Sequence, residues 1–354
     1  MKTLVIRLMG LGDVASILVP SVKLISRSFA DAHIDVLTYG AGVELMQLVP
    51  EVENVLAVQR EQWPSDLSQA MESFFVIAAQ IEHKKYDLII NLDTWFMPCF
   101  LARVLKDSGQ CVIGNYLNRP VSDFYSGLLA KRYDQEFFQT QKRFIESTFP
   151  LIGDWWEYGW WTRPEAANGY PAYYLNHCCG LDGDLDFRLD ISPDEDFLRA
   201  ARGKPIVALS ASGSGNQKQY RHRESLAKML AESGYVVWSD FDGSLPIKDL
   251  LSRLKVSDLL ISVPTSSRWF ARLVDCPVLL IPGAEPPSMT APDLFVEPVQ
   301  DCQYCVAHTC REGRNFACMD VPPATISQRV DGFLAENAGR RMLQSPAQER
   351  NPSG

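Results

Sequence analysis

Residues 3–14, TLVIRLMGLGDV, limit what this chain can become more than any other stretch. Leu4, Val5, Ile6 and Leu8 form a short apolar run with β-branched members, the pattern of a strand buried on both faces. Gly10 and Gly12 follow at once and permit a tight turn. After Asp13, the segment VASILVPSVKLI carries apolar residues at helical spacing. A strand that passes through a glycine turn into a helix begins a parallel α/β unit. Open α/β sheets bind their ligands at the carboxyl ends of such strands. Asp13 stands at that end, where it either caps the helix or serves as a general base, and capping is the commoner role there. The turn lacks the third glycine of a dinucleotide fingerprint, and no later acid answers to a ribose. Nicotinamide and flavin binding are therefore not expected.

The alternation repeats along the chain. Strand patterns at 33–38, 54–58, 86–92 and 111–114 alternate with helical patterns at 40–48, 66–81 and just after 95, with Asp66 an expected N-cap. A second series begins near Lys204, with strands at 205–209, 235–238, 258–262 and 277–281 and helices between them. Right-handed crossovers make each series a doubly wound parallel sheet, and 354 residues suit two domains. The expected division is a first α/β domain over 1–165, a linker over 166–200, and a second domain over 201–335 that includes a cysteine-rich loop at 302–318. A polar tail over 336–354 is expected to be disordered. The irregular stretch before the linker holds Trp155, Trp156, Trp160 and Trp161, read first as a hydrophobic staple and second as an aromatic binding surface. Residues 121–133, with Asp123, Lys131 and Arg132 near aromatics, read first as a solvated helix face and second as the lining of an acceptor site.

A formal net charge of −9 argues against nucleic acid as a partner. No apolar run approaches the ~20 residues that span a bilayer. The first residues enter a strand directly, without a leader pattern, so a cytosolic location is expected. In that compartment nine cysteines are not a disulfide framework, and their spacing becomes informative.

Four places carry chemistry. The loop SASGSGNQKQY at 210–220 lies between a strand and a helix. Its small residues let backbone amides approach an anion, the helix N-terminus favours one, and Lys218 adds a point charge. It is not a Walker loop. The segment VPTSSRW at 263–269 offers the hydroxyls of Thr265, Ser266 and Ser267 and the cation of Arg268, or else an ordinary N-cap. Cys302, Cys305, Cys310 and Cys318 lie within seventeen residues and suit a tetrahedral structural site for zinc or iron, with His308 as a spare ligand. Cys178 and Cys179 are adjacent and read as ordinary thiols. Finally, Asp93 ends the YDLIINL strand and is a second candidate base, or a loop aspartate.

Together these segments resemble glycosyltransferase family 9, the ADP-heptose heptosyltransferases. The resemblance rests on LVIRLMGLGDV, on FADAHIDVLTYGAGVELMQLVPEVENVL, on YDLIINLD with LARVLKDSGQCVIG, and on PIVALSASGSGNQKQY, SDLLISVPTSSRWFARLVDCPVLLIPG and CQYCVAHTCREGRNFACMDVPPATI. It spans residues 1–335 and is weakest over 120–200. It implies a GT-B fold, two Rossmann-like domains facing a cleft, with the acceptor in the first and a nucleotide-diphosphate sugar in the second. It also implies an inverting transfer that needs no catalytic cofactor or metal. Asp13 then matches the family's base and Asp93 is second choice. Ser212, Gly213, Lys218, Thr265, Ser266, Arg268 and Trp269 contact the donor. The implied acceptor is a glycan such as a lipopolysaccharide core, a lipid-linked sugar or a protein hydroxyl, with peripheral contact to the inner membrane. Cysteine-rich metal sites occur among the related protein-modifying heptosyltransferases. The chain departs from the family at one motif. Where Asp-Thr-Gly-x-x-His is usual it reads Pro264, Thr265, Ser266 and, at the histidine position, Trp269. Two alternatives keep the fold: another nucleotide-sugar donor, or a non-catalytic binding and assembly protein. Oligomeric state is not legible.

Overall fold

The computed structural model describes residues 1–8 and 10–344, without the side chains of 338–344. Its architecture is two α/β domains. The first sheet contains β1 (Lys2–Ile6), β2 (His33–Tyr39), β3 (Val52–Val58), β4 (Leu88–Asn91), β5 (Val112–Leu117) and β6 (Ile145–Ser147) in the order β3-β2-β1-β4-β5-β6. All pairs are parallel except β5 with β6. The second sheet contains β7 (Ile206–Ser210), β8 (Val236–Trp238), β9 (Leu259–Ser262), β10 (Val278–Leu280) and β11 (Leu294–Phe295) in the order β11-β10-β9-β7-β8, parallel throughout.

Both orders are Rossmann-like. The first follows the dinucleotide-fold order and the second the flavodoxin-like one, and each reverses direction at a single switch point. In the first sheet that point lies between β1 and β4. In the second it lies between β7 and β9. The candidate segments of the sequence follow these four strands.

Packing explains the layers. Along β1, Leu4 and Ile6 enter one core with Phe74 and Phe100, while Val5 faces the opposite core, as period-two alternation requires. That second core is continuous between the domains. It joins Val5, Val36 and Ile90 of the first sheet to Ala208, Leu254 and Trp269 of the second. The remaining face of the second sheet packs Val207, Leu209 and Ile261 against Ile326 and Val330 of the C-terminal helix. The tryptophan segment lies within the middle layer: Trp155 stacks on Trp160 at 5.1 Å, and Trp160 on Tyr173 at 4.7 Å. This is the staple reading.

Local signals act as expected at Asp66, whose side chain accepts from the Gln69 amide. They do not at Asp13. Gly10 is the N-cap of the short helix Leu11–Asp13, and Asp13 caps nothing. The C-terminal helix Pro323–Gln344 extends past 336, so the first part of the expected tail is helical, and 345–354 lie outside the described residues. No helix among the described residues is long and apolar enough to cross a membrane.

Gly114 marks a tight point where β5 meets β4. Its φ is +90°, and a Cβ there would lie 2.3 Å from the Asn91 carbonyl oxygen. Gly114→Ala is expected to lower stability by on the order of 3 kcal/mol, through a strained backbone and a forced shift of β4. Urea unfolding measures it.

Candidate active site

Arg7, one residue beyond β1, is buried, and its guanidinium organises the first half of the site. One nitrogen donates to the Leu92 carbonyl at 2.9 Å and lies 3.9 Å from Asp93 Oδ1. The other pairs with Asp13 Oδ2. Burial works against the charge, but the carboxylates of Asp13 and Asp93 overcome it and hold the guanidinium above its ordinary value. Gly10 makes room for this pair. Its φ is +81°, and a Cβ would stand 3.0 Å from Asp13 Oδ2. The other Asp13 oxygen accepts from the Tyr170 hydroxyl at 2.8 Å. The Asp13 side chain remains one-third exposed.

Asp93 behaves differently. It is fully buried. One carboxylate oxygen accepts from the Leu8 amide at 2.8 Å, and the other from the amides of Thr94 and Trp95 at 2.8 and 3.0 Å. Asp93 thus ties the end of β1 to the start of the helix Phe96–Asp107 and does not open onto a cavity. This geometry departs from the expectation of a second base: Asp93, fully buried and already accepting from three backbone amides, presents no surface to an acceptor hydroxyl.

The two switch points share one cavity of about 700 Å³. Its first wall is Gly10, Leu11, Gly12, Asp13, Trp95 and Tyr170. The facing wall includes Ser214, Lys218, Thr265, Ser266, Trp269 and Glu285. The helix Ser266–Leu273 directs its N-terminus here. Thr265 precedes it in the N-cap position, yet its side chain makes no capping bond. Lys218 pairs with Glu285 at 2.7 Å, both partly buried.

Several expected donor contacts stand elsewhere. The loop 210–220 is a small hairpin, not the mouth of a helix. Ser212 bridges to Gln219, and the Gly213 amide donates to the Lys218 carbonyl at 2.8 Å. The following helix begins only at Arg223. Ser212 lines a separate cavity with Arg223 and Asp242. Gly213 lies beneath Lys218, where a Cβ would meet the lysine Cβ at 3.0 Å. Arg268 turns away from the shared cavity. It lies under Trp269 at 5.2 Å and donates to the Ala291 carbonyl, and burial pulls its pKa down to about 10. Ser267 is internal, bonded to Ser210 and Ser262. Asp123 and Arg132 line another cavity, with Arg119 and Arg143.

The cysteines of 302–318 line a cavity of about 240 Å³. Among the described residues no three His, Cys, Asp or Glu side chains are arranged to hold a metal ion, so the expected four-thiolate cage is not closed here. His308 is not with the cysteines. It lines the shared cavity, 3.2 Å from the Gln217 amide nitrogen. Cys178 and Cys179 are buried thiols.

Tyr170, Glu285, Thr290, Trp95 and His308 also line this cavity, and sequence reasoning did not assign them to it. Trp95 follows β4 and so arrives by its place at a strand end, whereas Tyr170 and Glu285 are brought in from segments that carried no signal for this cavity.

No family model matches the chain. Over 87 residues it is 28% identical to lipopolysaccharide heptosyltransferase 3 of Escherichia coli, and the match spans 25% of each protein. The chain thus covers about a quarter of that relative's length. Solved structures match nearly end to end. The glycosyl transferase family 9 protein of Veillonella parvula has a TM-score of 0.64 at 13% identity, over 95% of this chain and 97% of that one. ADP-heptose lipopolysaccharide heptosyltransferase II of E. coli has a TM-score of 0.60 at 15%, over 96% and 100%. The iron-containing dodecameric glycosyltransferase TibC of enterotoxigenic E. coli has a TM-score of 0.55 at 14%, over 95% and 76%. The chain shares the two-domain GT-B fold of these heptosyltransferases.

Asp93→Asn puts an amide where one of three backbone donors needs an oxygen. It is expected to cost about 1–3 kcal/mol in a urea melt, with the cavity's ligand affinity intact. An Asp93→Asn protein as stable as wild type would show that these bonds do not hold the loop.

Proposed function

We propose that the chain is a heptosyl-type glycosyltransferase, moving a sugar from an ADP-sugar to a hydroxyl of a glycan, lipid-linked sugar or protein, with inversion. One observation carries this reading: a partly exposed carboxylate and a lysine beside a helix N-terminus face each other across one cavity, at the switch points of two Rossmann-like sheets. The likeness in fold to ADP-heptose heptosyltransferases supports the choice of donor.

In this reading Asp13 takes the proton of the acceptor hydroxyl. The oxygen attacks the anomeric carbon from the face opposite the diphosphate, the bond to the diphosphate breaks, and ADP leaves with the electron pair. Lys218 and the amides at the start of Ser266–Leu273 receive the developing negative charge. Glu285 holds Lys218 in place before the donor arrives, and the diphosphate takes over as its anionic partner. Trp95, with 52% of its surface exposed on the Asp13 side, offers the acceptor an aromatic face. Such an enzyme works where nucleotide sugars are made, in the cytoplasm, and a lipid-linked acceptor would bring it to the inner membrane surface. Buried Trp269, where the resembled family has histidine, favours a second reading in which the cavity binds a nucleotide without transfer.

Titration with ADP, UDP and GDP separates these readings. Lys218→Ala is expected to weaken ADP binding by about tenfold or more, as loss of a charged contact does. Asp13→Asn is expected to keep ADP affinity and lose roughly 10²–10⁴-fold in ADP-heptose turnover. Unchanged turnover removes Asp13 as base. ADP binding without turnover by wild type favours the second reading.

We further propose that Cys302, Cys305, Cys310 and Cys318 hold a structural metal, zinc or iron. The donor set fits in kind, four soft sulfurs on one small cavity. Backbone amides of Phe316, Arg314 and Glu312 draw the Cys310 thiol toward thiolate. Burial, and then the neighbouring cysteines, push Cys318 up to about 11. When bound, the metal would stabilise the loop. Elemental analysis is expected to find metal in wild type and none in the double variant C302S/C305S, together with a lower melting temperature.

A further inference from the structure

Tyr170 opens a short helical turn, Tyr170–Ala172, in the connection between the domains. A π-helical turn, Tyr173–Cys178, follows it. A second π-helical turn, Val14–Leu18, begins immediately after Asp13. The two segments meet through the Tyr170 side chain. The Tyr170 hydroxyl donates to Asp13 Oδ1 at 2.8 Å and also bonds Ser16 Oγ, inside the second turn.

The Tyr170 ring is backed from the other domain. Trp269 meets it edge-to-face, with centroids 5.0 Å apart and planes at 78°. Trp269 is itself fixed. Phe187 stacks against it at 6.1 Å, and its indole edge would lie 3.7 Å from a Cβ on Gly12. The Asp13 carboxylate is therefore held from two directions. Arg7 grips one oxygen from within the first sheet. Tyr170 grips the other from the linker, against a wall supplied by the second domain. Burial, and then the Asp13 carboxylate, raise the phenol well above its ordinary value, so it stays a hydrogen-bond donor over the working pH range. A carboxylate offers about four lone-pair sites, so a third donor, the acceptor hydroxyl, still has a place.

We propose that Tyr170 is a positioning residue for the transfer: backed by Trp269, its hydroxyl orients the Asp13 carboxylate toward the acceptor hydroxyl. The base is then set only when the linker and the helix Ser266–Leu273 are packed together. This rests on the functional reading above. Tyr170 keeps its own proton throughout, and the acceptor proton goes to Asp13. The tryptophan at the departed motif thereby has a task, since it is the wall against which the positioning ring stands.

Two arms test this, and they fail separately. The first uses full-length protein carrying carbon-13 at the tyrosine Cζ. The resonance missing in Tyr170→Phe identifies Tyr170, and Asp13→Ala and Asp13→Asn are each expected to shift it. A Tyr170 resonance indifferent to both overturns the contact, whatever the protein's activity. The second arm measures ADP affinity by calorimetry and ADP release from ADP-heptose in the presence of acceptor. Tyr170→Phe retains the ring and is expected to leave ADP affinity unchanged while kcat falls by about 100-fold, the scale of a misplaced reacting group. Trp269→Ala is expected to reproduce the fall, and Trp269→Phe, which keeps an aromatic edge, to restore most of it. Wild-type kcat in Tyr170→Phe overturns the positioning role. So does a loss confined to ADP affinity, which marks a structural role.

Discussion

A single buried guanidinium holds the first domain's ligand edge together. Arg7 ties its own strand end and the Asp13 turn that follows it to the Leu92 carbonyl after β4, a segment remote in the sequence. An arginine buried here would cost several kcal/mol if it were unpaired. Two carboxylates offset that cost, one wholly buried and one partly exposed. They divide the work. Asp93 is consumed by backbone amides and fixes the loop, which leaves Asp13 as the carboxylate with exposed surface. The chemical asymmetry of two aspartates at neighbouring strand ends thus follows from which one finds amides.

This division explains what the sequence could and could not tell. The fold was legible because parallel strands buried on both faces read as unbroken apolar runs, as in LVI, LII and LLI, and because glycine and hydroxyl residues punctuate their ends. The switch points followed from that alternation. The roles of Asp13 and Asp93 were not legible, since capping, loop and base aspartates look alike in one dimension. What separates them is the direction of Arg7 and the path of three amides. Lys218 and Thr265, expected at the donor, both line the shared cavity, because position after a strand is a local property. Arg268 was not, because a helix turns successive side chains by about 100°, and its neighbour Trp269 took the cavity side.

The longest-range contributions had no local signal at all. Tyr170 lies 157 residues from the carboxylate it bonds, in a stretch without regular periodicity. Its neighbourhood was visible only as an excess of aromatic residues. Aromatic side chains bring large contact areas at small entropic cost, and tyrosine adds one hydroxyl at the rim. A cluster of them between two domains therefore does two things at once. Trp155, Trp160 and Tyr173 fill the seam, while Tyr170 and Tyr174 direct hydroxyls back toward the strand ends, to Asp13 and to the Leu92 carbonyl.

The middle apolar layer also bears on the altered donor motif. A histidine in the position of Trp269 would bring a polar ring into a surface lined by Tyr170, Phe187 and the glycine turn. Tryptophan instead extends the core that already runs between the sheets. The polar work at this helix falls to groups that do not depend on that position: the amides at its N-terminus, the hydroxyls of Thr265 and Ser266, and Lys218 beside them. In the proposed reading the ligand is a diphosphate, which needs donors and positive charge, and these groups supply both. The departure from the family pattern therefore changes how the two domains meet more than what the donor wall can bind.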